Sequence, residues 1–167
     1  MRDAEVRRRS ALLFYICAAA VVLIDQVSKY FARRELAAHK IVVIRGFFDL
    51  SLSYNPGGAF GILPKWTPLF VIIAIVTIYA IFRLRKLETP SWPLSAGLGL
   101  LLGGAIGNLI DRLLSPFGAV TDFLSFHLGG TAKALVWPTF NFADVAIVAG
   151  AVLLLYHVYV VERKRQE

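Results

Sequence analysis

The sequence predicts an α-helical membrane protein in which four transmembrane helices carry a small β-sheet on the outer surface. Three observations predict it. In 167 residues the apolar share is 57% and the charged share 17%, with a mean hydropathy of +0.66, more than a soluble domain of this length tolerates. Four apolar runs approach the ~20 residues that cross ~30 Å of hydrocarbon. Lys and Arg are divided unevenly among the segments that join these runs. The whole chain, 1–167, reads as one integral-membrane domain.

The first run, 11–31, follows Arg7, Arg8 and Arg9 and contains Ala18, Ala19 and Ala20, which is also the pattern of a secretory signal. Three later spans make a retained helix the more economical reading. Cys17, in its middle, is the sole cysteine, so an intrachain disulfide and a CxxC site are excluded and a packing role is expected. In the connection 33–65, "IVVIRGFFDLSLSYNPGGAFG" sets β-branched and aromatic residues around Gly46 and ends in a turn-rich "NPGG". Residues 41–54 therefore read as a small sheet, with Asn55 presenting its amide toward the helix mouths and Asp49 a solvated strand residue. The second run covers 67–82. The third, 94–110, carries Gly99, Gly103 and Gly107 on one face, a row that lets helices approach closely; Ala146 and Gly150 are expected to face it. In the connection 111–141, "GAVTDFLSF" sets Asp122 between apolar flanks without turn residues, as in a short strand or interfacial segment. The fourth run is 142–161.

Orientation follows from charge. The N-terminal tail, the short 83–93 connection and the C-terminal tail hold ten basic residues: Arg2, Arg7, Arg8, Arg9, Arg83, Arg85, Lys86, Arg163, Lys164 and Arg165. The two other connections are together more than twice as long and hold seven. Both termini are thus expected in the cytoplasm. Trp66, Trp92 and Trp137 each precede a span, as interfacial anchors do. The net charge of +7 then reflects topology, and no basic patch with interleaved aromatics suggests a nucleic-acid partner. His39, His127 and His157 form no HExxH pair and no GxSxG occurs, so neither a zinc protease nor a serine hydrolase is indicated, and no metal or cofactor is expected.

What remains is a polar layer. Since the first and third runs point outward and the fourth starts outside, Asp25, Lys29, Asn108, Asp111, Arg112, Asn141 and Asp144 fall at one outer level. Charge at bilayer depth costs ~2.5–3.5 kcal/mol per residue on insertion scales, which makes such acids functional candidates. Ordinary readings exist for several. Asp25 and Lys29 are an i, i+4 pair whose Lys would snorkel to the headgroups. Asn108, Asp111 and Arg112 share a helix face, where Asp111 opposes the macrodipole and needs a partner. Asn141 suits an N-cap with Asp144 at the third position. That explains Asp144 and leaves Asp122 unexplained. A proton-coupled transporter would need polar residues across the whole thickness, and here they stop at the outer layer.

"DQVSK" (25–29), "NPGGAFG" (55–61), "GNLIDR" (107–112), "VTDF" (120–123) and "FNFAD" (140–144) resemble, in order, the signature blocks of the lipoprotein signal peptidase, or signal peptidase II, family. The resemblance implies a bacterial inner-membrane aspartic protease that removes the signal peptide of prolipoproteins by cutting before a diacylglyceryl-modified cysteine. It further implies an extracytoplasmic β-cradle, Asp122 and Asp144 as the catalytic pair, and a site near the outer face. Asn55, Gly57, Asn108, Asp111, Arg112 and Asn141 would line or support that site, with Asp25 and Lys29 nearby. The expected partners are lipidated prolipoproteins and membrane lipid, with the enzyme a monomer. Thr121 stands where Val is usual, and the 112–122 and 122–141 segments are longer than typical, which bears on loop shape. Two close carboxylates share a proton, so one activates water while the other protonates the scissile carbonyl. If Asp144 lies in the first turn of its helix, the dipole favours its anion and leaves Asp122 the protonated partner.

Overall fold

The structure, a computed structural model, describes residues 2–57, 67–87, 91–115, 118–128 and 135–166. Trp66 and most of the "NPGGAFG" stretch lie outside them. The helices are α1 (Arg2–Glu35), α2 (Thr67–Leu87), α3 (Trp92–Leu114) and α4 (Phe142–Gln166), each long and apolar enough to cross a bilayer. All four exceed the expected runs. The periodic apolar pattern marks only what lies in hydrocarbon, whereas the helices continue into polar ends, as where Glu5 holds Arg9 at 2.8 Å one turn away.

Helix α3 is the interior helix. Two-thirds of its apolar window is buried in protein, against 6% to 17% in the others. Its start is set by Ser91, an extended N-cap whose hydroxyl accepts from the Leu94 N–H, with Pro93 in the first turn, where a missing N–H costs nothing. Phe14, Ala18, Ile81, Leu94, Leu98 and Leu102 form the core shared by α1, α2 and α3.

Glycines let α3 sit between two neighbours, and here the sequence expectation is corrected. The row Gly99, Gly103 and Gly107 faces α1: an added Cβ would lie 2.5 Å from the Phe14 carbonyl oxygen at Gly99 and 2.6 Å from Val21 Cβ at Gly103. The fourth helix meets a different row. Gly97 and Gly104 approach it, with a Cβ at Gly104 falling 2.6 Å from the Ala143 carbonyl oxygen, and Gly150 lies against Gly97. A helix buried on two sides needs two small faces, which a search for one repeat does not reveal.

Strands β1 (Ile41–Ile44), β2 (Phe48–Asn55), β3 (Val120–Leu128) and the two-residue β4 (Leu135–Val136) form an antiparallel sheet in that order. Gly46, at φ 74°, makes the β1–β2 turn. The register pairs Ser53 with Asp122 and Asn55 with Val120, after an irregularity between Leu50 and Ser53. Ala32 of α1 and Leu36 just beyond it pack with Phe123, which fixes the sheet on the end of that helix. Beyond β4, Phe140 bridges to Leu124, accepting from the Phe123 and Leu124 N–H groups at 3.0 and 2.9 Å. The entry to α4 is thereby tied beside Asp122.

Asp49 departs from expectation. It is 4% exposed, accepting a 2.8 Å hydrogen bond from Lys40, while His127 Nε2 on β3 stands 3.1 Å away without hydrogen-bond alignment. Strand alternation turns it inward, where a carboxylate must be paired. The Lys40 hydrogen bond holds it below the usual carboxylate range, against the opposing effect of burial.

Candidate active site

The site is assembled from five elements, α1, β2, α3, β3 and α4, around one buried lysine. Lys29 is fully buried: its ammonium lies 2.8 Å from Asp25 and 3.2 Å from Asp111, and donates to the Asn108 side-chain oxygen at 3.0 Å. The snorkelling reading of Lys29 is therefore overturned. Helical spacing does make it the partner of Asp25, but the glycines of α3 bring a second carboxylate within reach, and the ammonium stays inside.

Each acid around it also organises backbone. Asp25 accepts from the Ala143 N–H at 3.0 Å, so a residue of α1 satisfies one orphan donor at the start of α4. Asp111 accepts from the Thr121 N–H at 2.8 Å, which anchors β3 to the end of α3. Arg33 then donates to the Thr121 hydroxyl at 2.9 Å and reaches Asp111 at 3.5 Å, while Gln26 donates to Asp25 at 3.1 Å and to the Gly107 carbonyl at 3.1 Å.

The two acids of the expected pair meet across Asn141, which is fully buried. Asn141 caps α4 as its sequence suggests. Its side-chain oxygen accepts from the Asp144 N–H at 3.0 Å and its own N–H donates to Asp144 Oδ2 at 3.2 Å, a reciprocal capping box. Its amide nitrogen then donates to Asp122 Oδ1 at 2.6 Å, so one side chain touches both acids. Asn108 adds a 2.8 Å hydrogen bond to Asp144 Oδ1, and Asn55 one of 3.3 Å to Asp122 Oδ2. Gly57 donates its N–H to the Asn55 side-chain oxygen at 3.1 Å, which orients that amide. Arg112 donates to the Asn108 carbonyl at 3.2 Å and lies over the Phe70 ring at 5.3 Å; its Nε is buried without an acceptor among the described residues.

Asp122 and Asp144 differ in environment. Asp122 is 2% exposed, and its carboxyl is pushed up to about 7, first by burial and then by the charge of Asp144, against the opposing Asn141 and Asn55 hydrogen bonds and the Lys29 charge. Asp144 is half-buried in the first turn of α4, where the helix dipole and two hydrogen-bond donors suit an anion. The arrangement sets two carboxyls of unequal environment side by side, with Asp122 able to keep its proton near neutral pH. Among the described residues no cluster of three or more His, Cys, Asp or Glu could hold a metal ion.

All ten residues singled out from sequence lie in this network. Sequence reasoning missed Gln26, Arg33 and the Thr121 side chain. The spacing of Asp25, Lys29 and Arg33, each four residues after the last, was the available signal for Arg33.

A polytopic helical membrane protein with paired, unequal carboxyls at one end of its bundle is the class that fold and site define. The family model for signal peptidase (SPase) II matches residues 17–160, and the chain belongs to that peptidase family. It is 38% identical over 155 residues to the lipoprotein signal peptidase of Symbiobacterium thermophilum, covering 92% of this chain and 98% of that one. It is 41% identical over 145 residues to that of Moorella thermoacetica, covering 86% and 90%. A bacterial membrane enzyme solved in meso at 1.9 Å superposes with a TM-score of 0.74 at 30% identity, over 87% of this chain and 91% of that chain.

Proposed function

We propose that this protein is an aspartic endopeptidase of the bacterial inner membrane that removes signal peptides from prolipoproteins, cutting before a diacylglyceryl-modified cysteine. The observation that carries the reading is the single buried Asn141 bonded to both Asp122 and Asp144, with Asp122 pushed up to about 7. In the reaction, Asp144 as the carboxylate takes a proton from a water whose oxygen attacks the scissile carbonyl carbon. Asp122 gives its proton to the carbonyl oxygen, forming a neutral tetrahedral diol. The proton now on Asp144 passes to the amide nitrogen as the C–N bond breaks, and Asp122 recovers its proton from the diol hydroxyl. Asn108 and Asn141 keep the acids in register, and Arg112 Nε is available to a substrate carbonyl.

The termini belong in the cytoplasm and the acids near the outer face, a reading supported by the basic residues of the tails and of the 83–93 connection. A substrate anchored by signal helix and diacylglyceryl group then arrives at the level of the dyad, and a monomer suffices. The test is cleavage of a lipidated prolipoprotein by purified enzyme. Asp122→Asn and Asp144→Asn, each still folded, should fall at least about a thousandfold, as expected for members of one proton-transfer unit. Activity above a few per cent in either variant removes that residue from the pair.

A further inference from the structure

At the opposite end of the bundle lies a second polar cavity, of about 250 Å³, which the proposed chemistry does not use. It is lined by Arg7 and Ser10 of α1, Arg85 and Lys86 of α2, and Ser95 of α3, above an apolar floor at Leu98. Eighteen residues separate Arg7 from Asp25 on one continuous helix, about 27 Å by helical rise, so the cavity and the acid network lie roughly one hydrocarbon thickness apart.

Its charge is unbalanced. Among the described residues no carboxylate pairs with Arg7, Arg85 or Lys86, whereas nearby Arg8 and Arg9 both pair with Glu5. Arg85 is also held in place: its guanidinium stands 4.5 Å from the Phe14 ring centroid and 5.0 Å from that of Tyr15, and it is half-buried. Basic residues placed only to set topology need no shared cavity and no aromatic support. Here cations from two helices converge on one recess, with hydroxyls from two helices beside them and apolar surface beneath.

We propose that this cavity binds the phosphate of an anionic phospholipid in the leaflet opposite the catalytic acids. Arg85 and Arg7 bind the phosphate oxygens, Lys86 adds positive charge, the serines donate to the remaining oxygens, and the acyl chains descend along the lipid-facing surface. Binding does not depend on the peptidase assignment. Only the name of the leaflet rests on the orientation proposed above.

The experiment is native mass spectrometry of the full chain in detergent, titrated with phosphatidylglycerol, with phosphatidylcholine, and with inorganic phosphate as competitor. The expected result is one phosphatidylglycerol adduct at saturating stoichiometry, weakened about tenfold in Arg7→Gln/Arg85→Gln and unaffected in Arg8→Gln/Arg9→Gln, which removes equal charge outside the cavity. Arg7→Gln alone, at an exposed position with no hydrogen bond or ion pair among the described residues, should weaken it severalfold, so the result does not hang on the folding of the double variant. Equal loss in the two double variants would overturn the site. Equally tight phosphatidylcholine binding would overturn its anionic selectivity, and displacement by equimolar inorganic phosphate would overturn the assignment to lipid.

Discussion

At the scale of single residues, Lys29 has the largest structural consequence. Among the described residues it is the one cation in contact with both Asp25 and Asp111, and those acids in turn hold the Ala143 and Thr121 N–H groups that position α4 and β3. Replacing it by Met leaves buried Asp25 without its cation and Asp111 with only the 3.5 Å approach of part-exposed Arg33, a loss of about 3–5 kcal/mol for a broken buried pair. Thermal unfolding of Lys29→Met in detergent should show a large drop in melting temperature together with loss of cleavage, and an unchanged melting temperature would refute this account. Thr121→Val should be much milder. The Arg33–Thr121 hydrogen bond of 2.9 Å is lost, but Arg33 is part-exposed and retains water, so the expected cost is about 1 kcal/mol. Lys29 also shows where sequence reading reaches its limit. The i, i+4 spacing from Asp25 is visible in one helix, whereas Asp111 comes from a helix some eighty residues on, and only tertiary packing decides whether an ammonium reaches water or a second acid. Asp49 fails for the same reason, since Lys40 and His127 approach it from outside its own strand.

Among the elements, the helices and the sheet region were legible because hydrocarbon thickness and strand alternation leave periodic marks. The capping box Asn141/Asp144 was legible too, being local. Which glycines face which helix was not, because α3 is close-packed on two sides. The structure turns this into a contrast. At Gly104 an added Cβ would meet the Ala143 carbonyl oxygen and Ile147 Cγ1, both at 2.6 Å, next to the capping box; at Gly97 the nearest atoms are 3.0–3.2 Å away and include the end of the Leu154 side chain. Gly104→Ala should therefore push α4 outward and disturb Asp144, lowering kcat at least tenfold, while Gly97→Ala should leave kcat within about twofold because the Leu154 tip, the Gly150 carbonyl and Leu153 Cβ need give only a few tenths of an ångström, about two helical turns from Asp144's cap. Similar losses in the two variants would show that the helix contact is not what sets the dyad.

For the whole molecule, the raised Asp122 carboxyl links activity and stability to pH in the same direction, both falling as it loses its proton. A carboxyl raised in the folded state stabilises the fold fully below its unfolded value of 3.8, and that contribution is lost as pH rises through about 7. Wild type should lose stability relative to Asp122→Asn across this window, although the variant is inactive. Cleavage should likewise decline on the alkaline side with an apparent midpoint near 7, as the pair loses the proton needed by the carbonyl oxygen. A rate still climbing at pH 9 would exclude Asp122 as the donor. Depth adds a second dependence: the same prolipoprotein without its diacylglyceryl group loses the anchor that fixes height and direction, and should be cut at least a hundredfold more slowly in one liposome preparation. Equal rates would make the lipid incidental.

The bond from Asp25 to the Ala143 N–H joins α1 to α4, two helices more than a hundred residues apart in order of synthesis. Because Asp25 and Lys29 are spaced to pair within α1 itself, that helix should enter lipid with part of its charge already compensated. Asp122 and Asp144, by contrast, lie far along the chain, and the Asn141 bond to Asp122 that joins them forms only when α4 docks. On the pair proposed above, a nascent chain that ends before α4 should therefore insert as an anchor yet cut nothing, with cleavage arriving only once α4 is added.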